Sequence, residues 1–114
     1  MYKVRAADVP ADEVEPGVKL RLAIGDAQGA RNFHLRVFTV APGSHTPLHE
    51  HPWEHEVFIL RGHGVVVAGE QETPFAPNDV VFVPPGELHQ FRNSGNGDLE
   101  FICVIPTTDQ CLGR

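Results

Sequence analysis

Seven of the 114 residues are histidine, and three of them, His49, His51 and His55, fall between positions 49 and 55. Neutral imidazole is a common protein ligand for Mn, Fe, Ni, Cu and Zn. His49 and His51 are two apart, so in extended chain both rings point to one face. A turn at Pro52 can bring His55 back beside them. A fourth histidine, His89, follows Pro84-Pro85-Gly86, a turn that fixes the chain direction just before it. His89 then opens a short strand on which Phe91 shares its face. Three convergent imidazoles hold a divalent ion with positions left for water or substrate, and His89 supplies a fourth from another part of the chain. The expected ligand set is therefore His49, His51, His55 and His89, with one divalent transition metal. A lone histidine on a strand is usually a surface or core residue, and His34, His45 and His63 keep that reading. His45 lies close to the cluster in sequence, but Thr46 and Pro47 leave its direction open. Glu50, Glu54 and Glu56 alternate with the histidines and are expected to face away and solubilise the segment.

Short strands must position these groups. The apolar runs are Val18 to Ile24, Phe33 to Val40, Glu56 to Leu60, Val65 to Ala68, Val80 to Val83 and Leu99 to Ile105. Each is short, rich in β-branched or aromatic residues, and bounded by turn residues, which reads as strand rather than helix. Turn signals such as Ala41-Pro42-Gly43, Pro77-Asn78-Asp79 and Ser94-Gly95-Asn96-Gly97 recur at the intervals of an all-β sandwich or barrel. Ala6 to Val14 is the one stretch expected to form a weak helical turn. In Leu99 to Ile105, alternation puts Glu100 toward water and Phe101, Cys103 and Ile105 on the barrel interior. Ile102 and Val104 then fall on the outer side, which predicts a partly covered face, such as a contact with a second subunit.

The length suits one compact domain over residues 1–114, large enough to bury a core without staples. A formal net charge of −6 argues against nucleic acid and anionic membrane surfaces as partners. No apolar run is long enough to span a bilayer, and Met1 to Pro16 has no signal-peptide pattern. The two cysteines, Cys103 and Cys111, suggest no disulfide framework, so a reduced cytoplasmic protein is expected.

The segments 43–62 and 78–93 resemble the two signatures of the cupin superfamily, an all-β jelly-roll barrel. In the first, Gly43, His49, His51 and Gly62 match, and His55 stands where most cupins have Glu. In the second, Pro84, Gly86, His89 and Asn93 match, and Asn78 replaces a Gly. Asn tolerates left-handed backbone better than most residues, so that turn can survive. The string His-x-His-Pro-Trp-Glu-His-Glu, with Asn32, Phe33 and Arg36 before it and Phe101 and Cys103 after it, is similar to that of small one-domain bacterial cupins that bind manganese through four histidines. The resemblance implies a homodimeric barrel, a metal with two adjacent open positions and oxygenase-like reactivity. It does not imply a substrate.

Four neutral ligands leave the full charge on a divalent ion. Such a site is more Lewis acidic, and harder to oxidise, than one with three histidines and a glutamate. Phe91 and Phe101 are expected to wall a pocket for a small, partly apolar substrate, with Arg36 and Cys103 beside it. Cys103 is open to three readings: a small core residue, a nucleophile, or a thiol bordering the metal pocket. No phosphate loop, Gly-x-Ser-x-Gly elbow or Cys-x-x-Cys competes with the histidines. Two function classes stay open: a metal-dependent oxygenase-like enzyme, and a non-catalytic metal-dependent module that senses or stores a small molecule. A DNA-binding appendage, which a self-contained regulator would need, is missing from the pattern. A metal-free sugar isomerase or epimerase would not need four imidazoles.

Overall fold

The computed structural model describes residues 1–113. Nine strands alternate with tight turns: β1 (Asp12–Glu15), β2 (Val18–Ile24), β3 (Phe33–Val40), β4 (His55–Arg61), β5 (Gly64–Ala68), β6 (Gln71–Phe75), β7 (Val80–Val83), β8 (His89–Asn93) and β9 (Leu99–Pro106), followed by a one-turn helix α1 (Asp109–Leu112). They form two antiparallel sheets, one of six strands in the order β1-β2-β3-β9-β4-β7 and one of three in the order β6-β5-β8. The architecture is the all-β jelly-roll barrel that the strand pattern and the motif resemblance predict. The segment from His45 to His49 extends the smaller sheet through bridges His45–Arg92 and His49–His89.

The expected strands are all present, within one residue at each end. Two further strands were not legible as apolar runs. The stretch expected as a helical turn forms only a 3-10 turn at Ala6–Asp8 and then extends as β1, whose sequence Asp-Glu-Val-Glu pairs with β2. β6, Gln-Glu-Thr-Pro-Phe, pairs with β5. Both are edge strands and mostly exposed, so no burial imposes an apolar alternation on them, and Pro74 is tolerated because one side of β6 needs no donor.

The core lies between the sheets and is carried by alternate residues. On β9, Leu99, Phe101, Cys103 and Ile105 are buried, whereas Ile102 and Val104 are only half-buried. On β4, His55, Val57 and Ile59 point inward. On β8, His89, Phe91 and Asn93 do the same. Three rings stack across the interior, Phe38 on Phe101 at 5.1 Å between centroids and Phe101 on Phe91 at 4.9 Å.

Two turns show why the motif residues are what they are. Asn78 adopts a left-handed φ of 75°, the conformation for which its replacement of glycine is tolerable. Gly62 sits at φ +89°, and a Cβ there would meet the Asp98 carbonyl oxygen at 2.7 Å. Asn93 ties the end of β8 to its surroundings. Its side-chain amide donates to the Val40 and Gly97 carbonyls at 2.8 and 2.9 Å, and its oxygen accepts from the Gly95 N–H at 2.9 Å.

Candidate metal centre

Four segments meet at one end of the barrel. His49 and His89 exchange backbone hydrogen bonds, His49 N–H to the His89 carbonyl at 3.1 Å and the reverse at 2.9 Å. The Thr46 hydroxyl accepts from the Phe91 N–H at 2.9 Å and anchors the same segment. His51 lies outside any strand, so the expected His-x-His strand is reduced to a single bridge at His49. The rings converge all the same, because the Pro84–Glu87 turn takes over. Gly86, at φ +79°, donates its N–H to the His51 carbonyl at 2.7 Å. His55 then opens β4, facing Val83 of β7.

One nitrogen from each of His49, His51, His55 and His89 lies within 4.8 Å of the others, and among the described residues no carboxylate or thiol belongs to this cluster. His49 is exposed, His51 half-buried, and His55 and His89 buried, so the cluster runs from the surface into the barrel. The outer nitrogens are oriented by acceptors. His51 Nδ1–H donates to the Trp53 carbonyl and His89 Nδ1–H to the Glu87 carbonyl, both at 2.8 Å. That fixes each tautomer and turns the Nε2 lone pair toward the cluster. The His51 ring also stacks on Trp53, 4.2 Å between centroids and 6° from parallel.

His55 is oriented differently. Its Nδ1 lies 3.1 Å from Cys103 Sγ and 3.4 Å from an Arg36 guanidinium nitrogen, which itself donates to Cys103 Sγ at 3.0 Å. Arg36 can only donate, so when His55 Nδ1 carries the proton, Cys103 is the acceptor in reach. Sulfur can also donate, so Cys103 serves either tautomer. Burial pushes the Cys103 thiol up, against the opposing pull of Arg36. Burial, then Arg36, then the neighbouring rings hold His55 down to about 3. His49 and His51 are lowered too, first by burial. Neutral imidazole is the ligating form. The 2.7 Å between His51 Nε2 and His55 Nε2 brings two lone pairs together unless a proton or a cation lies between them. The donor set therefore fits a divalent metal with nitrogen affinity.

The cluster opens on a cavity of about 250 Å³. Arg36, Phe91, Phe101 and Cys103 all line it, and so do Phe38 and Trp53. Sequence reasoning did not single out Phe38, Trp53 or Cys111. Alternation on β3 places Phe38 with Arg36, and Trp53 lies between two of the histidines, so both carried a signal. Cys111 carried none, because only α1 folds the tail back to the cavity edge. Of the remaining histidines, His34 is buried with its Nε2 3.2 Å from Asp26, His45 is exposed with a ring nitrogen 3.1 Å from the Gln90 amide, and His63 is exposed. Glu50 and Glu56 are exposed, and Glu54 is half-buried.

The family described as "Cupin domain" matches residues 36–105, more than half of the chain. The chain belongs to the cupins. This cupin is 45% identical over 65 residues to an oxalate-binding protein of Thermotoga maritima, covering 56% of this chain and 54% of that one. It is 33% identical over 106 residues to a gentisate 1,2-dioxygenase of Haloferax sp, covering 86% of this chain and 29% of the relative. It thus spans about half or less of these curated relatives. Among solved structures it superposes on the polyketide cyclase RemF of Streptomyces resistomycificus with a TM-score of 0.87 and 33% identity, over 95% of this chain and 80% of the other.

Proposed function

We propose that this cupin is a metal-dependent, oxygenase-like enzyme that acts on a small organic substrate at a four-histidine centre. The observation that carries the reading is four nitrogens within 4.8 Å of one another, with no carboxylate in the cluster among the described residues, at the head of a largely apolar cavity. A divalent ion held there by His49, His51, His55 and His89 would supply Lewis acidity to a substrate oxygen. The protein's own part is to keep the imidazoles neutral and aimed, through the Trp53 and Glu87 carbonyls and Cys103, and to exclude water with Phe91 and Phe101. The resemblance to four-histidine cupins supports manganese among the ions that imidazole accepts, which include Fe, Ni, Cu and Zn. The match to a gentisate 1,2-dioxygenase supports dioxygen chemistry.

The proposal includes a homodimer in the cytoplasm. The outer face around Phe58, Val80, Phe82, Ile102 and Val104 is apolar, with Val80 73% and Phe82 57% exposed, and a second copy would cover it. Both cysteines are free, which fits a reducing compartment. The net charge of −6 supports a small molecule rather than nucleic acid or a membrane surface as partner. No described helix is long and apolar enough to cross a membrane.

A non-catalytic binding role is the second reading, favoured by the match to an oxalate-binding protein. Metal analysis of protein expressed in plain medium, followed by oxygen uptake with small phenols, enols and diketones, separates the two. We expect one metal per chain, lost in a His51→Ala/His89→Ala variant, and metal-dependent uptake with at least one enol or phenol. Saturable binding of these compounds without uptake would favour the binding role. Metal content unchanged in the double variant would end both.

A further inference from the structure

Among the described residues, Arg36 is the only Lys, Arg, Asp or Glu side chain lining the cavity. Its guanidinium stays charged at any physiological pH. The ion pairs formed among the described residues are His34–Asp26, Arg61–Glu100 and Arg92–Glu72, and none includes Arg36. One of its terminal nitrogens donates to the uncharged Cys103 Sγ and lies near His55 Nδ1. Its Nε is sealed from solvent with no hydrogen-bond partner. The guanidinium carbon lies 5.0 Å from the centroid of the Phe38 ring, a contact that does not neutralise its charge. A half-buried cation with no counter-charge among the described residues and an unpaired N–H is costly to the fold, and an anion in the cavity would offset that cost.

We infer that Arg36 is the substrate-binding cation of this cavity and that the substrate is a small organic monoanion, a carboxylate or enolate with an apolar body. The inference rests on the function proposed above and names its substrate class. Position decides which part of the ligand goes where. Arg36 touches His55, a buried member of the cluster, so the anionic oxygen lies beside the metal ligands. The stacked rings of Phe38, Phe101 and Phe91 take the apolar part. The volume of about 250 Å³ lies below the usual range for drug-sized ligands, which fits an acid with one ring or a short branched chain. A phosphate ester fits less well. Phosphate sites add several backbone N–H groups at a helix N-terminus or glycine-rich loop, and the lining here is aromatic and imidazole.

The test is calorimetry on the full chain, metal-free and Mn²⁺-loaded, with matched acid and amide pairs: benzoylformate against benzoylformamide, and 3-methyl-2-oxobutanoate against its amide. Each amide keeps the dicarbonyl unit and removes the charge. We expect at least one acid to bind the metal-free protein about 10-fold or more tighter than its amide. In Arg36→Gln that acid should lose about 10- to 100-fold, the size of a charge-assisted hydrogen bond, while the amide affinity stays within about 2-fold. Neither acid preferred over its amide, or a preference kept in Arg36→Gln, overturns the inference. Inorganic phosphate competing as well as the acid overturns the carboxylate class. If Arg36→Gln fails to fold, the acid-to-amide ratio of the parent decides alone. An acid preference lost in Arg36→Gln, in protein that binds neither Mn²⁺ nor Fe²⁺, Ni²⁺, Cu²⁺ or Zn²⁺, upholds Arg36 and ends the metal reading, so the two fail separately.

Discussion

The two faces of β4 and β9 border hollows of unlike chemistry. The inner face, with His55, Cys103 and Phe101, opens on about 250 Å³, and the outer face, with Phe58, Ile102 and Val104, lines a groove of about 380 Å³. Apolar side chains line both, so they do not separate the two. Polar groups do: nitrogens from four histidines and one guanidinium converge inside, whereas among the described residues Glu56 is the one charged residue of the outer groove. Alternation along a strand is enough to build both. The same eight residues of β9 give a site on one side and an apolar surface on the other.

The largest expected effect concerns the inner face and pH. The unfolded chain protonates His55 near pH 6.5, and the folded chain refuses that proton until about 3. Metal-free protein should therefore lose stability as pH falls through that window, by as much as about 1.4 kcal/mol per pH unit from this group alone. Urea titrations at successive pH values measure the slope. A flat profile between pH 6 and 4 would mean that His55 is not held neutral by burial.

Removing that imidazole should come next. His55→Ala is expected to weaken metal affinity by about 100-fold, at the top of the range seen for supporting groups around metals. His55→Glu should keep the metal and lower the reduction potential, because a carboxylate removes one unit of charge from the site and favours the higher oxidation state. Chelator competition and voltammetry on the two variants give the comparison. Equal values in both variants and the parent would remove His55 from the ligand set.

On the outer face, Phe82→Ser should raise the dimer dissociation constant by about 100-fold, since a burial worth about 1.5 kcal/mol or more is lost twice in a two-fold interface. Metal affinity should not change. Analytical ultracentrifugation that finds parent and variant at the same mass would leave that face without a partner copy.

The smallest effect tests the contact joining the two faces' shared strand to the site. Cys103→Val keeps the bulk and removes the acceptor for His55 Nδ1–H, so metal affinity should fall about 10-fold. Cys103→Ser, which can still accept, should recover most of it. Equal loss in both would make Cys103 a packing residue only.

Much of this was determined by the sequence itself. Period-2 alternation assigned the faces of β9, because a one-residue slip would bury Glu100 and expose Phe101. Spacing and turn residues singled out four histidines among seven, because a Pro-Pro-Gly turn and a His-x-His pair each constrain direction over only a few bonds. The edge strands β1 and β6 were not legible, since exposed strands carry no apolar signature. Tertiary structure alone decided the partners across long sequence gaps. Register across β3 and β9 sets Arg36 opposite Cys103, and β4 brings His55 to both. The fold of α1 returns Cys111 to the cavity edge. Whether a cation lacks a counter-charge depends on every element that packs around it. Local pattern fixes a residue's direction, but not what it will face.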